Sequence, residues 1–482
     1  MDLPQVIQGG MGAGVSGWRL AKAVAQAGQM GVVSGTALES IMARRLQDGD
    51  AEGHLRRALA HFPLPIVVKK ILGRYFIPGG RPAGQPYHLT PMPSLHPSLF
   101  LQELTVAASF AEVWLAKEGH DGPVGVNYLE KIQLPNPASL YGAMLAGVDY
   151  VLMGAGIPRE IPGILDRLAL HQPVEMTIDV KGVRPGETIS LPFRPQTVLP
   201  DSPAPLKRPK FLAIVASVTL AQIMTRKSTG KVDGFVVEHH TAGGHNAPPR
   251  GAMQLDGAGE PLYGARDEVK VADIKALGLP FWLAGRYGHP EKLQEALAQG
   301  ATGVQMGTAF AFCEESGLTE KIRRAVLKRI LTDAPAVRTD PRASPTSYPF
   351  KVVDLPGSLA EPAVYAARER RCDLGYLREL YREESGAVGY RCPGEPEAIY
   401  LRKGGDPADS VGRKCLCNGL VANIGLGQEL ENGYVEPPIV TAGNDLPSLR
   451  QLISPGKLDY TAADVLAYMF STKAHPELVR PA

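Results

Sequence analysis

The segment from Glu238 to His245 carries three histidines and a carboxylate within eight residues, directly after an apolar run. Neutral imidazoles and carboxylates are ligands for zinc and iron. His239 and His240 are adjacent, however, and neighbouring side chains point to opposite sides of an extended chain. We therefore predict no metal site here and expect His245 to be an acid/base or polarising group. The alternative is a loop histidine that only makes structural hydrogen bonds.

Glycines and compact polar residues recur at the ends of candidate strands. A glycine at a strand end lets backbone N–H groups approach a ligand without a Cβ in the way. The last two positions stand where a barrel commonly binds phosphate, so we expect a phosphorylated cofactor. The alternative is that these glycines only form tight turns. The strand-end residues are Gly10, Met11, Asn127, Glu238, Gly243, Gly244, Gly285, Arg286, Gly307 and Thr308.

Eight short apolar runs separated by helical stretches predict an α/β fold, a (β/α)8 TIM barrel. An open doubly wound sheet is the competing architecture. We expect the barrel in residues 1–335, with insertions near 55–120 and 174–209, the second able to form a hairpin. Residues 336–482 form a mostly helical extension that packs on the barrel or on a partner subunit. The predicted strands are 6–8, 31–34, 124–127, 149–153, 211–217, 233–238, 281–285 and 303–307.

Composition limits the partners of this chain of 482 residues. The formal net charge is +2, which gives no electrostatic footprint for nucleic acid or for an anionic membrane. The apolar runs are too short for a transmembrane helix, and the N-terminus lacks the pattern of a signal peptide. Five cysteines are too few for a disulfide framework, so we expect a cytoplasmic protein. Three interpretations stay open for Cys372, Cys392, Cys415 and Cys417: a metal or cluster site, structural thiols, or redox use.

Four segments in order resemble the nitronate monooxygenase family, formerly called 2-nitropropane dioxygenase, which includes the flavin-type enoyl-acyl carrier protein reductases. They are IQGGMG (7–12), VEHHTAGGH (237–245), LAGR (283–286) and GATGVQMGTAFAFCEES (300–316). The resemblance covers about residues 1–330 and implies a barrel that contains FMN. The absence of a GxGxxG fingerprint followed by an acidic residue also favours FMN over FAD.

The resemblance also implies a role for each matching residue, with His245 as the catalytic histidine. Gly10 and Met11 would contact the flavin ring, and Asn127 would bind its polar edge. Glu238, Gly243 and Gly244 would line the cofactor, and Gln305 and Met306 would approach it from the last strand. Gly285, Arg286, Gly307 and Thr308 would hold the phosphate.

Three activities are compatible with this resemblance. The first is oxidation of alkyl nitronates or nitroalkanes by O2 to a carbonyl compound and nitrite. The second is NAD(P)H-dependent reduction of a 2-enoyl thioester, and the third is a flavin-binding subunit of a biosynthetic complex. Nitronate-oxidising members usually carry glutamine where this chain has Glu238, and a lysine where it has Ile214; both positions look more like the enoyl reductases. The expected partners are a small-molecule substrate and O2 or NAD(P)H, with a homo-oligomer left open.

Overall fold

The structure is a computed structural model that describes residues 3–201 and 204–471. Its strands are β1 (Val6–Gln8), β2 (Gly31–Ser34), β3 (Val124–Leu129), β4 (Tyr150–Gly154), β5 (Val174–Thr177), β6 (Val180–Lys181), β7 (Ser190–Phe193), β8 (Lys210–Val215), β9 (Gly234–Glu238), β10 (Phe281–Ala284), β11 (Gly303–Met306), β12 (Val337–Asp340), β13 (Phe350–Val353), β14 (Glu379–Arg382) and β15 (Val388–Arg391).

The helices in the same ranges are α1 (Trp18–Gln26), α2 (Leu38–Gln47), α3 (His54–Leu59), α4 (Pro65–Tyr75), α5 (Leu99–Lys117), α6 (Asn136–Leu145), α7 (Ile161–Ala169), α8 (Pro195–Val198), α9 (Val218–Lys227), α10 (Val271–Lys275), α11 (Pro290–Ala298), α12 (Thr308–Ala311), α13 (Glu320–Thr332), α14 (Pro362–Ala367), α15 (Glu397–Arg402), α16 (Pro407–Ser410), α17 (Leu416–Ala422) and α18 (Ala462–Met469). A 3-10 helix spans Leu446–Gln451.

Eight parallel strands form a barrel, in the order β1-β11-β10-β9-β8-β4-β3-β2. The two ends of this sheet meet because Met30, next to β2, pairs in parallel with Ile7 of β1. Apolar side chains from these strands fill the centre, among them Leu152, Leu212 and Trp282. The Trp282 indole N–H donates to the Pro4 carbonyl at 2.8 Å, so the buried ring has its polar partner. The predicted (β/α)8 barrel is confirmed.

Two insertions interrupt the barrel, one between β2 and β3 and one between β4 and β8. The first contains α3, α4 and α5, and α5 packs against α1, α2 and α6. In the second, β5 and β7 form the expected antiparallel hairpin, with Val174 opposite Phe193. By length and composition α5 could cross a membrane, but 78% of its apolar window is buried inside the protein. Its Glu103 pairs with Lys70 at 2.9 Å, so this helix carries a charge into the packed interior.

The C-terminal region lies over the mouth of the barrel, at the carboxyl ends of the strands. Its β12 and β13 pair antiparallel, as do β14 and β15, and its helices are short. The Gly244 N–H donates to the Thr441 hydroxyl at 2.8 Å, and Phe350 forms a β-bridge with His245. Helix α18 packs against α1, α11 and α12. The C-terminal region is therefore built onto the barrel at the carboxyl ends of its strands.

Candidate functional site

One cavity opens at the carboxyl ends of the barrel strands, with about 1650 Å³ of space free of atoms, part of it open to solvent. A concave, mostly apolar site with a few converging polar groups is the usual form of a ligand-binding site. All of the predicted site residues line it: Gly10, Met11, Asn127, Glu238, Gly243, Gly244, His245, Gly285, Arg286, Gln305, Met306, Gly307 and Thr308. Residues from different strands thus meet at one place, although their individual roles stay predictions.

Gly10 and Asn127 form one wall of this cavity. The Asn127 side-chain amide donates to the Gly10 carbonyl at 3.1 Å. A Cβ on Gly10 would stand 2.4 Å from Asn127 Cβ, so only glycine fits at this position. The amide oxygens of Asn127 and Gln305 are buried and have no hydrogen-bond partner within the described residues. Because buried acceptors are normally paired, these two oxygens are available to N–H or O–H donors of a ligand.

His245 faces the cavity from the loop after β9. Its Nε2 lies 2.7 Å from the Ser344 hydroxyl, and the Phe350 ring packs edge-on against the imidazole at 4.9 Å. Desolvation lowers the pKa of His245 to about 4, because burial disfavours the charged imidazolium. The imidazole is therefore neutral at pH 7, with Ser344 holding its orientation.

Glu238 ends strand β9 and also faces the cavity. Burial raises its pKa to about 7, because a carboxylate loses hydration when it leaves bulk water. Near pH 7 the protonated and ionised forms are therefore both populated. A carboxyl group poised at this pH can donate a hydrogen bond in one form and accept one in the other.

The predicted phosphate end combines glycine-like backbone with a cation. Arg286 adopts a φ of +59°, in the left-handed region that favours glycine. Arg286 therefore has the backbone shape of a glycine and adds a guanidinium to this end of the cavity. A side chain on Gly307 would meet only Met11, at 3.4 Å from its sulfur, so the cavity is open on this side.

Asp445 was not predicted, and it changes the chemistry of the phosphate end. The Thr308 hydroxyl donates to the Asp445 carboxylate at 2.6 Å and accepts from the Gly443 N–H at 3.0 Å. Burial raises the pKa of Asp445. The Thr308 hydroxyl, expected to contact phosphate, therefore already has partners in the C-terminal region.

His239 and His240 do not point apart, so that expectation is wrong. Their ring centroids are 3.9 Å apart, and His240 stacks on Tyr263. The chain turns immediately after β9, where the Ala242 N–H donates to the His239 carbonyl, so the alternation of an extended strand ends there. With Glu268 they form a group of three whose ligand atoms lie within 4.8 Å of one another. The group could hold a divalent metal, and it lies outside the cavity wall.

Sequence reasoning missed the part of the wall that comes from the C-terminal region. These residues are Tyr376, Leu377, Leu416, Cys417, Leu420, Asn423, Thr441, Ala442, Gly443 and Asp445. The segment TAGND (441–445) resembles the glycine-containing strand ends of the barrel, and that was the available signal. No strand precedes this segment in the described structure. A search for glycines at the ends of predicted strands could therefore not find it.

Comparisons with known proteins find similarity to nitronate monooxygenases. Residues 178–340 match the family model of nitronate monooxygenase. A probable nitronate monooxygenase of Staphylococcus haemolyticus is 31% identical over 129 residues, 27% of this chain and 34% of that protein. A probable nitronate monooxygenase of Staphylococcus saprophyticus is 25% identical over 226 residues, 46% of this chain and 59% of that protein.

A solved structure of nitroalkane oxidase from Streptomyces ansochromogenes superposes with a TM-score of 0.44 at 15% identity, covering 97% of this chain and 95% of that one. The matching segments span between about a third and three fifths of the length of the two staphylococcal relatives. The motifs at the strand ends and the matched family model agree: residues 178–340 of this chain are similar to the nitronate monooxygenase family.

Proposed function

We propose that this protein is an FMN-dependent oxidoreductase that oxidises alkyl nitronates. The observation that carries the proposal is a neutral, oriented histidine in a glycine-lined cavity at the mouth of the barrel. Bound FMN would supply the acceptor for the electrons of the substrate, which O2 would then take up. The protein's own contribution is to bind, orient and desolvate the substrate next to that acceptor.

The cavity fits a flavin by its donor and acceptor set. The unpaired amide oxygens of Asn127 and Gln305 suit the N–H groups and polar edge of an isoalloxazine ring. Only glycine fits at position 10, because a Cβ there would lie 2.4 Å from Asn127 Cβ and displace the amide that lines the cavity. At the other end, the Arg286 guanidinium offers paired donors for phosphate. The Asp445 carboxylate opposes a phosphate there unless its raised pKa keeps it protonated or Arg286 compensates its charge.

His245 favours a nitronate over a neutral nitroalkane. An imidazole with a pKa of about 4 is a weak base, so it is poorly matched to removing an α-proton near neutral pH. It can instead donate a hydrogen bond to the oxygens of an anion that has already lost that proton. The Ser344 hydroxyl, 2.7 Å from Nε2, would hold the ring during this contact.

Stopped-flow reduction of the bound flavin under anaerobic conditions tests this proposal. We expect fast reduction by alkyl nitronates, slower reduction by the parent nitroalkanes, and release of nitrite and a carbonyl compound when O2 is admitted. Mass spectrometry of the released cofactor should give FMN, and stoichiometric FAD would contradict the assignment. Faster reduction by nitroalkanes than by nitronates would show that His245 acts as a base.

Reduction of a 2-enoyl thioester is the second candidate, and the cavity wall supports it. Ile214 stands where nitronate-oxidising members usually carry lysine, and it lines the cavity beside Glu238. Leu377, Leu416 and Leu420 extend the wall with apolar surface that suits an acyl chain. Enoyl-thioester-dependent consumption of NAD(P)H, without flavin reduction by nitronates, would select this function.

A flavin-binding subunit of a larger complex is the remaining alternative. It predicts bound flavin without either activity in the isolated chain. We also propose a cytoplasmic location, because none of the five cysteines forms a disulfide, as expected in a reducing compartment. Fractionation of the source cells tests the location.

A further inference from the structure

Four of the five cysteines come together in the C-terminal region from three separate segments. The Asn418 side-chain amide donates to the Arg371 carbonyl at 3.2 Å, which brings the start of α17 against the segment that holds Cys372. A Cβ placed on Gly394 would lie 3.3 Å from the Lys414 carbonyl oxygen and 3.6 Å from Cys392 Sγ. Since Cys415 follows Lys414 directly, the Cys392 loop lies against the beginning of α17. Each segment thus brings its cysteine to one place.

This four-cysteine cluster lies in the interior of the C-terminal region. Cys392 and Cys415 are buried, and Cys372 and Cys417 are half-buried. Their chain neighbours Asp373 and Leu416 are buried as well. The fifth cysteine, Cys313, is elsewhere, with its thiol donating to the Phe310 carbonyl.

Arg368 is a buried cation beside the four-cysteine cluster, and part of its guanidinium has no hydrogen-bond partner among the described residues. The Arg368 side chain is 1% exposed, and its Nε donates to Glu436 at 2.6 Å. Both of its terminal nitrogens, Nη1 and Nη2, are buried without a hydrogen-bond partner among the described residues, as is Nη1 of Arg370. Leaving charged donors unsatisfied is costly. The Arg370 guanidinium donates to the Tyr365 hydroxyl at 2.9 Å, and that hydroxyl donates to the Arg413 carbonyl at 3.1 Å. The segment that carries these unused donors therefore lies against the residues just before Cys415, and the donors suit a group with negative charge.

The spacing of the sulfur atoms distinguishes a single ion from a cluster. A tetrahedral zinc site with Zn–S bonds of about 2.3 Å holds its sulfur atoms roughly 3.8 Å apart. In the described part of the chain, the group of three ligand atoms within 4.8 Å of one another is the one formed by His239, His240 and Glu268. No three of the cysteine sulfurs approach that closely. An iron–sulfur cluster distributes its four thiolates over two or four irons, so no three of the sulfurs have to approach one another that closely.

We propose that Cys372, Cys392, Cys415 and Cys417 ligate an iron–sulfur cluster, with the buried Arg368 guanidinium balancing its negative charge. Leu359, Leu374 and Leu416 belong to the buried apolar cluster around this place and limit access of water. Cys417 also lines the cavity at the barrel mouth. The iron–sulfur cluster would therefore lie at the wall of the cavity. This proposal does not depend on which substrate the cavity accepts.

Metal and sulfide analysis of the full chain, purified without oxygen from iron-supplemented cells, tests the proposal. We expect iron and acid-labile sulfide in equal amounts, about two or about four of each per chain. Reduction with dithionite should give an electron paramagnetic resonance signal of a reduced iron–sulfur cluster. One zinc per chain, or four reactive thiols without metal after reconstitution with ferrous iron and sulfide, would overturn the proposal.

Single cysteine variants locate the cluster. Cys392→Ser and Cys415→Ser should lose most of the iron and sulfide, whereas Cys313→Ser is the matched control and should keep both. Equal iron in all three variants would overturn the assignment of ligands. If the ligand variants fail to fold, the metal and sulfide content of the unaltered protein still decides. Arg368→Gln should lower the midpoint potential of the cluster, since net charge and hydrogen bonds set that potential.

Discussion

Replacing Arg286 by glycine should separate two effects of this residue: the strain of its backbone and the contact of its guanidinium with the FMN phosphate. Arg286 has a φ of +59°, and the left-handed region costs a non-glycine residue roughly 1–2 kcal/mol. Glycine removes this cost, but its greater freedom in the unfolded chain takes back about 0.4–1 kcal/mol. The free energy of unfolding of the apoprotein should therefore stay unchanged or rise by up to about 1.5 kcal/mol.

FMN affinity should change in the opposite direction. The Arg286 side chain is exposed, so its contact with phosphate belongs at the low end of charged hydrogen bonds, about 1.5 kcal/mol. Losing it should raise the Kd for FMN roughly tenfold. At saturating FMN the variant holoprotein should therefore be less stable than the native holoprotein. The difference in the free energy of unfolding should equal the loss of binding free energy minus the gain in stability of the apoprotein.

Urea denaturation of the apoprotein and quenching of flavin fluorescence on titration measure the two quantities separately. Arg286→Ala is the matched control, because it removes the guanidinium but keeps a side chain in the left-handed region. It should lose the same affinity without the gain in stability. An unchanged Kd for FMN in both variants would refute the phosphate contact. A clear loss of apoprotein stability in Arg286→Gly would refute the argument from backbone strain.

Three further predictions concern the cavity. His245→Ala should keep its flavin and lower substrate-dependent flavin reduction by roughly 10²–10³-fold, the cost of losing one hydrogen-bond donor to the reacting anion; a loss of flavin and stability at an unchanged rate per bound flavin would instead mark a structural histidine. Burial raises the pKa of Glu238 to about 7, so this carboxyl group becomes negatively charged as the pH rises through 7. Because like charges repel, kcat/KM for an anionic substrate should fall above that pH, and it should stay level in Glu238→Gln. Gly307→Val should fold, since a Cβ there makes only an ordinary contact with Met11, but it should purify as apoprotein; full occupancy by FMN at normal affinity would move the phosphate elsewhere.

The strands and the strand-end site could be predicted because their signals are local. A buried parallel strand needs a short apolar run, and a turn next to a ligand needs glycine, so both leave marks within a few residues. Closure of the barrel then brings Gly10, Asn127, His245 and Gly307 to one cavity without further information. The family motifs add the expected role of each.

Long-range contacts decided the rest, and no local pattern encodes them. Asp445 reaches Thr308 across 137 residues of sequence, and the four cysteines meet only because α17 packs between two distant segments. The pairing of His239 with Glu268 depends on a turn that ends the alternation of the strand. The sequence determined the barrel and the residues at its mouth, because short apolar runs and glycines act over a few residues. The tertiary structure decided how the C-terminal region closes over that mouth, because packing between distant segments depends on the shape of the whole fold.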